Sequence, residues 1–130
     1  MKSVHCQLMN ESIASHFIGA VGPAFDEDDL ALILESSDRL IFASVSSHHG
    51  VIAAAEAVIS AIHRTHPPQD ITGIAALLQA PRDGLLGAVR TLTELLRHAH
   101  PSDIDLVAGG VAIDEQAASE VTVSIWVRMR

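Results

Sequence analysis

The chain has very few aromatic side chains: its 130 residues include three phenylalanines, one tryptophan and no tyrosine. So few rings cannot form the platform on which successive bases stack in many nucleic-acid-binding proteins. Basic residues are also scarce, with eight lysines and arginines against sixteen carboxylates, and the formal net charge is −8. A nucleic-acid backbone or an anionic membrane surface would repel such a chain, so we expect neither as a partner.

The chain also has little cysteine and no long hydrophobic run. Its one cysteine, Cys6, cannot form an intrachain disulfide or supply a thiolate cluster for zinc. The longest apolar segment, Val51–Ile62, contains Glu56 and is too short to cross a bilayer, and no segment is typical of a secretion signal. We therefore expect a cytoplasmic protein. The length fits one domain, and a hydrophobic fraction of 48% is enough for a core of small aliphatic side chains.

Helices and strands alternate along most of the chain. Strands that alternate with crossover helices predict a partly parallel sheet, and the short link between the last two strands predicts a hairpin. The expected fold class is α/β (α+β), a single domain with a mixed four- to five-stranded sheet and packed helices. Apolar periodicity, prolines and glycines predict strands at Arg39–Ser46, Ile71–Gln79, Ile104–Ile113 and Glu120–Met129, and helices at Asp28–Ser36, Val51–Arg64 and Leu85–His98.

The helix predicted at Val51–Arg64 is rich in alanine and apolar around most of its circumference. Helices of this kind are usually buried on more than one side. One side would pack on the sheet, and the other would need either a loop or a second subunit. We favour the second subunit, and hence a homo-oligomer.

Four segments resemble, in order, the C-terminal domain of FtsZ, the bacterial tubulin homologue of cell division. Residues 54–60 (AAEAVIS) are similar to the AAEAAIS helix of the family, and residues 114–125 resemble its DDxxxDExxVTVI hairpin, with Gly110 and Ile113 in step with its GAVID motif. Residues 25–30 (FDEDDL) resemble LDFADV, the loop called T7, and residues 39–46 stand at the ALMGIG strand. The resemblance covers residues 23–130 and leaves residues 1–22 as an N-terminal extension of uncertain structure.

The resemblance implies a four-stranded mixed sheet with helices, a fold shared with the Bacillus-type chorismate mutases. FtsZ binds GTP in a separate N-terminal domain whose GGGTGTG loop surrounds the phosphates, and no glycine-rich run of this kind occurs here. We therefore expect that this chain has no cofactor and does not hydrolyse GTP alone. The expected partner is an FtsZ-type protein or a second copy of the chain itself.

In FtsZ filaments the T7 loop of one subunit enters the nucleotide pocket of the next, where two aspartates help to position the attacking water. The resemblance assigns these roles to Asp26 and Asp29. Here Pro23 replaces an asparagine of the family, and the next substitutions place four carboxylates close together. The alternative is an acidic turn that stabilises a helix N-terminus. The remaining expected contact residues of this loop are Phe25, Glu27, Asp28 and Leu30.

Other candidate residues lie later in the chain. On the last predicted strand, an exposed Trp126 beside Arg128 would suit a protein contact, and the alternative is a partly shielded surface tryptophan. A second functional hypothesis is a small oligomeric enzyme or ligand-binding protein of the chorismate-mutase-like fold, with a site between subunits. Its candidate ligand-binding residues are His48, His49, Arg82 and Arg90.

Histidines are numerous, eight in all, and several lie at suggestive spacings. His63 and His66 are three residues apart, and His98 and His100 follow near the end of the next predicted helix. Imidazoles at such a spacing can share a metal ion, but no cysteine or carboxylate stands beside them at ligand spacing. Histidines near helix C-termini suit the helix dipole. We therefore expect capping or surface histidines and no metal site.

Overall fold

The computed structural model describes residues 40–113 and 120–130. Each predicted helix and strand in these ranges is confirmed, with ends within two residues of the predicted ones; the predicted helix Asp28–Ser36 lies outside the described residues. No helix in the described ranges is long and apolar enough to cross a membrane. The elements are β1 (Leu40–Ser47), α1 (Val51–His63), a short 3-10 helix (Pro68–Asp70), β2 (Ile71–Pro81), α2 (Leu85–His98), β3 (Asp105–Ile113) and β4 (Val121–Met129).

The four strands form one mixed sheet in the order β1-β4-β2-β3. Strand β4 runs antiparallel to both β1 and β2, whereas β2 and β3 are parallel. The predicted hairpin between the last two strands is therefore wrong, because β2 lies between them. The physical reason is the composition of β2, which is apolar and buried along nearly its whole length and is suited to a central position with a neighbour on each side.

Both helices pack on one face of this sheet, called here the helix face. Side chains alternate between the two faces of a strand, so one set of alternate residues in each strand meets the helices. The helix-face core joins residues of α1 and α2 to residues of all four strands. Its fully buried members include Ala54, Ala55, Val58, Ile74, Ala76, Leu78, Val89, Leu92, Leu96, Ala108, Val123 and Val127.

The second side of α1 is covered by α2, a helix of the same chain. A helix of the same chain thus covers part of this side, and the expected contact with a second subunit stays a prediction. Two short crossover connections place α1 and α2 next to each other on the helix face, and the small side chains of Ala54 and Ala55 allow α1 to pack closely there. The exposed part of α1 includes Ile52, whose side chain is 52% exposed.

Helix α2 lies directly against the backbone of β3 at Gly110. A Cβ atom added at this glycine would be 2.6 Å from Cγ2 of Val89 and 2.9 Å from Cδ1 of Leu85. Both distances are well inside van der Waals contact, so only glycine fits here without a shift of these side chains or of the helix that carries them. The absence of a side chain at Gly110 therefore sets the spacing between α2 and the sheet.

Candidate functional site

The sheet face opposite the helices carries two of the predicted contact residues and is called here the second face. Its central side chains are buried: Ala75 and Val107 are fully buried, and Leu77 is 1% exposed. None of these three belongs to the core that α1 and α2 form with the helix face. The sheet is thus apolar on both faces at its centre, with polar and aromatic residues around it.

Trp126 lies on the second face and is only 6% exposed, so the expectation of an exposed tryptophan is wrong. The strand order sets its neighbours on this face. A final strand paired only with β3 would lie at the edge of the sheet, but β4 lies inside it and places Trp126 between Phe42 of β1 and Ala75 of β2. The rings of Phe42 and Trp126 are tilted by 43° with centroids 5.1 Å apart. Phe42 is 51% exposed and offers aromatic surface on this face.

Arg128, the second contact residue predicted on β4, forms hydrogen bonds that link three strands. Its Nε donates to Thr72 Oγ1 at 2.9 Å, and its Nη2 donates to the Thr72 carbonyl at 2.9 Å and to Asp105 Oδ2 at 2.7 Å. The guanidinium crosses directly over Gly73, where an added Cβ would be 3.1 Å from Cζ of Arg128. Gly73 therefore leaves room for the arginine to reach from β4 over β2 to β3. Arg128 has a structural role in addition to its predicted contact role.

The T7-like residues lie outside the described residues. This set comprises the two aspartates with the predicted catalytic role and the four neighbours with the predicted contact role: Asp26, Asp29, Phe25, Glu27, Asp28 and Leu30. Their roles stay predictions based on the sequence resemblance.

The residues of the second hypothesis lie partly together. Strands β1 and β2 run in the same direction, so His48 and His49, which follow β1, and Arg82, which follows β2, share one edge of the sheet. All three are exposed, and Nε2 of His48 lies 3.8 Å from a carboxylate oxygen of Glu120. Arg90 is exposed in the second turn of α2. None of the four lines either of the two clefts described below.

At the opposite edge of the sheet, two histidines that the sequence pattern did not pair lie in contact. His63 is the last residue of α1, and His100 follows α2 by two residues. Their Nε2 atoms are 2.9 Å apart, and their rings meet edge to face with centroids 4.8 Å apart. The sequence pattern paired His63 with His66 instead, whose Nδ1 lies 2.7 Å from Thr65 Oγ1. The sequence did predict two crossover helices between parallel strands. Such helices run in the same direction, so their C-terminal ends lie at the same edge of the sheet.

His100 is 9% exposed and is therefore a buried residue, which corrects the expectation of a surface histidine. Its Nδ1 lies 2.7 Å from the Leu96 carbonyl, so it caps α2 in the manner expected of a histidine after a helix. Burial lowers the pKa of His100, and the hydrogen bond to Leu96 opposes this shift. Burial also lowers the pKa of His63, and repulsion from His100 lowers it further. Both shifts favour the neutral form of the imidazole.

Two clefts lie near this edge. One, of about 340 Å³, is lined by apolar side chains of β1 and β4 and by polar residues of the connection between α1 and β2. In it the Arg130 backbone N–H donates to the Asp70 carbonyl at 2.7 Å. The other, of about 440 Å³, is a shallow groove between α1 and α2 bounded by Glu56 and His98. Within residues 40–113 and 120–130, no three metal-ligating side chains form a cluster.

No protein-family model matches the sequence, and no curated protein does. Solved structures do match. An FtsZ dimer from M. jannaschii has a TM-score of 0.61 and 17% identity, over 80% of this chain and 31% of that chain. A tryptophan-to-tyrosine mutant of the M. jannaschii FtsZ has a TM-score of 0.62 and 17% identity, over 80% of this chain and 32% of that chain.

CetZ1 from Haloferax volcanii, a GDP-bound monomer, has a TM-score of 0.53 and 14% identity, over 80% of this chain and 33% of that chain. The chain thus spans about a third of the length of each of these three structures and shares the fold of that part. At these identities the likeness concerns the fold. The expected FtsZ-type fold is confirmed.

Proposed function

We propose that this chain acts by protein–protein contact on FtsZ-type polymers, as a modulator that does not itself hydrolyse GTP. The observation that supports the proposal most is the fold. A shared fold over 80% of this chain and about a third of the FtsZ chain gives it the shape of one part of an FtsZ subunit. One of the similar structures is an FtsZ dimer, so this fold occurs in a protein that associates with itself. A chain of this shape can compete for such a contact.

The mechanism proposed for the contact uses the T7-like loop of residues 25–30. Docked on the nucleotide face of a terminal subunit, the loop would block the addition of the next subunit and so cap the polymer. If Asp26 and Asp29 are placed as in the family, their carboxylates would also orient the water that attacks the γ-phosphate. Phosphoryl transfer depends on an oriented nucleophile and on charge stabilisation, so the two carboxylates would orient the water while the nucleotide pocket of FtsZ stabilises the charge.

The two modes differ in their effect on GTP turnover. The experiment measures GTP hydrolysis by FtsZ from the same host with increasing amounts of the purified chain. A cap lowers turnover, because fewer subunit contacts form, and an activating loop raises it at the polymer end. In either mode the double variant Asp26→Ala with Asp29→Ala should lose the effect while keeping the circular dichroism spectrum of the wild type.

A matched control removes the same charge elsewhere. Asp83 and Asp103 are exposed residues in the connections before α2 and before β3. The variant Asp83→Ala with Asp103→Ala should therefore change GTP turnover as the wild type does. If the T7-like double variant also acts as the wild type does, the loop is not the contact, and if the wild type has no effect, the proposal fails.

The second candidate function is ligand binding between subunits, in the manner of the chorismate-mutase-like fold. It is favoured by the shared edge that brings His48, His49 and Arg82 to one side of the sheet. A site of this kind needs two or more copies of the chain. Light scattering after size-exclusion chromatography separates the candidates, since a stable dimer or ring favours this one and a monomer excludes it.

A further inference from the structure

The histidine pair at the C-terminal ends of α1 and α2 has the elements of a small metal site. The Nε2 atoms of His63 and His100 face each other at 2.9 Å. His100 uses its other ring nitrogen, Nδ1, on the Leu96 carbonyl at 2.7 Å. A hydrogen bond from one ring nitrogen to a backbone carbonyl is the arrangement that orients histidine ligands in metal centres, because it fixes the tautomer and directs the other nitrogen to the ion.

The tautomers follow from these contacts. A carbonyl only accepts, so the proton of neutral His100 is on Nδ1 and its Nε2 presents a lone pair. His63 must then donate from its own Nε2 in the observed pair. If neutral His63 instead carries its proton on Nδ1, the Nε2 atoms of both rings, 2.9 Å apart, each have a lone pair available for an ion. This exchange moves the proton between the two nitrogens of one ring and releases none.

We propose that His63 and His100 together bind a divalent transition-metal ion such as Zn²⁺ or Ni²⁺, with water in the remaining positions. Imidazole nitrogens bind these ions at roughly 2.0–2.1 Å, which separates two cis ligands by about 2.9 Å at a right angle and about 3.3 Å at a tetrahedral angle. The observed 2.9 Å fits the first geometry directly and the second after a small opening.

The ends of the two helices favour a cation at this position. The C-terminal end of a helix carries partial negative charge, and both imidazoles stand where a helix ends. His100 is buried, which holds its ring in place, whereas His63 is half-buried and leaves a path for an ion from solvent. With two protein ligands and water, the site is suited to reversible binding, and its occupancy would tie α1 to the connection between α2 and β3.

The test is a calorimetric titration of Zn²⁺ and, separately, Ni²⁺ into the whole chain near neutral pH. His63→Gln keeps an amide that donates to His100 but removes the ligand, and His100→Asn keeps a donor for the Leu96 carbonyl but removes Nε2. Each variant should weaken the tightest binding event by at least about tenfold. The control His66→Gln removes a histidine three residues away and should bind as the wild type does.

A second measurement uses only the wild-type chain and therefore does not depend on the variants folding. Imidazole ¹⁵N spectra should show His63 protonated on Nε2 without metal and on Nδ1 with Zn²⁺, while His100 keeps its proton on Nδ1. The proposal is overturned if His63→Gln binds as tightly as the wild type, if His66→Gln weakens binding equally, or if the His63 nitrogen signals do not change with Zn²⁺.

Discussion

At the scale of single residues, the histidine pair makes stability depend on pH. Burial and mutual repulsion lower the pKa of His63, and burial lowers the pKa of His100. In the unfolded chain both rings take up a proton near their ordinary pKa of 6.5. Below that pH the unfolded chain binds more protons than the folded one, so the free energy of unfolding falls.

We therefore predict a loss of stability between about pH 7.5 and about pH 5.5, measured by urea denaturation. The variant His100→Asn removes one of the two rings and relieves the other, so its stability should change less over the same range. The control His49→Asn, at an exposed position in a turn, should keep the full pH dependence of the wild type. If the free energy of unfolding falls with pH as steeply in His100→Asn as in the wild type, the histidine pair is not the cause of the pH dependence.

A second residue sets the distance between α2 and the sheet. Gly110→Ala would place a Cβ at 2.6 Å from Val89 Cγ2, so the Val89 side chain, the helix or the strand must move. We predict that this overpacking lowers the free energy of unfolding by about 1–3 kcal/mol, measured by urea denaturation. The matched control is Gly87→Ala on α2, where an added Cβ meets nothing within 4 Å.

The control variant should change the free energy of unfolding in the opposite direction. Gly87 lies inside a helix, where alanine is favoured over glycine by roughly 0.5–1 kcal/mol, so Gly87→Ala should stabilise the chain. A Gly110→Ala variant as stable as the wild type would show that α2 does not pack on the backbone of β3 as described.

At the scale of the elements, the position of β4 inside the sheet decides the environment of Trp126. This is the only tryptophan of the chain, so its fluorescence reports on this position alone. Because the ring is 6% exposed, acrylamide should quench its emission weakly. Phe42→Ala removes the ring that packs 5.1 Å away and should increase the quenching, at a cost of about 0.5–1.5 kcal/mol in stability.

The control for this prediction is Ile52→Ala. Ile52 is also about half exposed, but it lies on α1, on the helix face of the sheet. Its loss should leave the quenching of Trp126 unchanged. Strong quenching in the wild type would place Trp126 at the surface and would contradict its burial in this structure.

The same elements show what the sequence could predict. Helix and strand positions followed from apolar periodicity and from breaks such as Pro67-Pro68, because these are local properties. The sequence did not predict which strands are neighbours in the sheet, because the apolar pattern of β4 suits pairing with β3 as well as with β2. The pair His63 and His100 depends on two helices that end at the same height, and no local pattern contains this information.

At the scale of the whole molecule, the resemblance in sequence and the likeness in structure agree on an FtsZ-type fold. The helix at residues 54–60 and the position of Gly110 are parts of the resemblance that lie in the described chain. The proposed contact loop, residues 25–30, lies outside it. The fold therefore rests on structure, while the functional proposal rests on the fold together with the sequence of that loop.

The central claim is that the chain acts at the ends of FtsZ-type polymers. A sedimentation assay tests it most directly: FtsZ from the same host is assembled with GTP, and the pelleted polymer is measured as the chain is added. Since each polymer has few ends and many subunits, the account predicts a change in polymer mass at far less than one chain per FtsZ subunit. An unchanged pellet up to a several-fold excess of the chain would contradict the account.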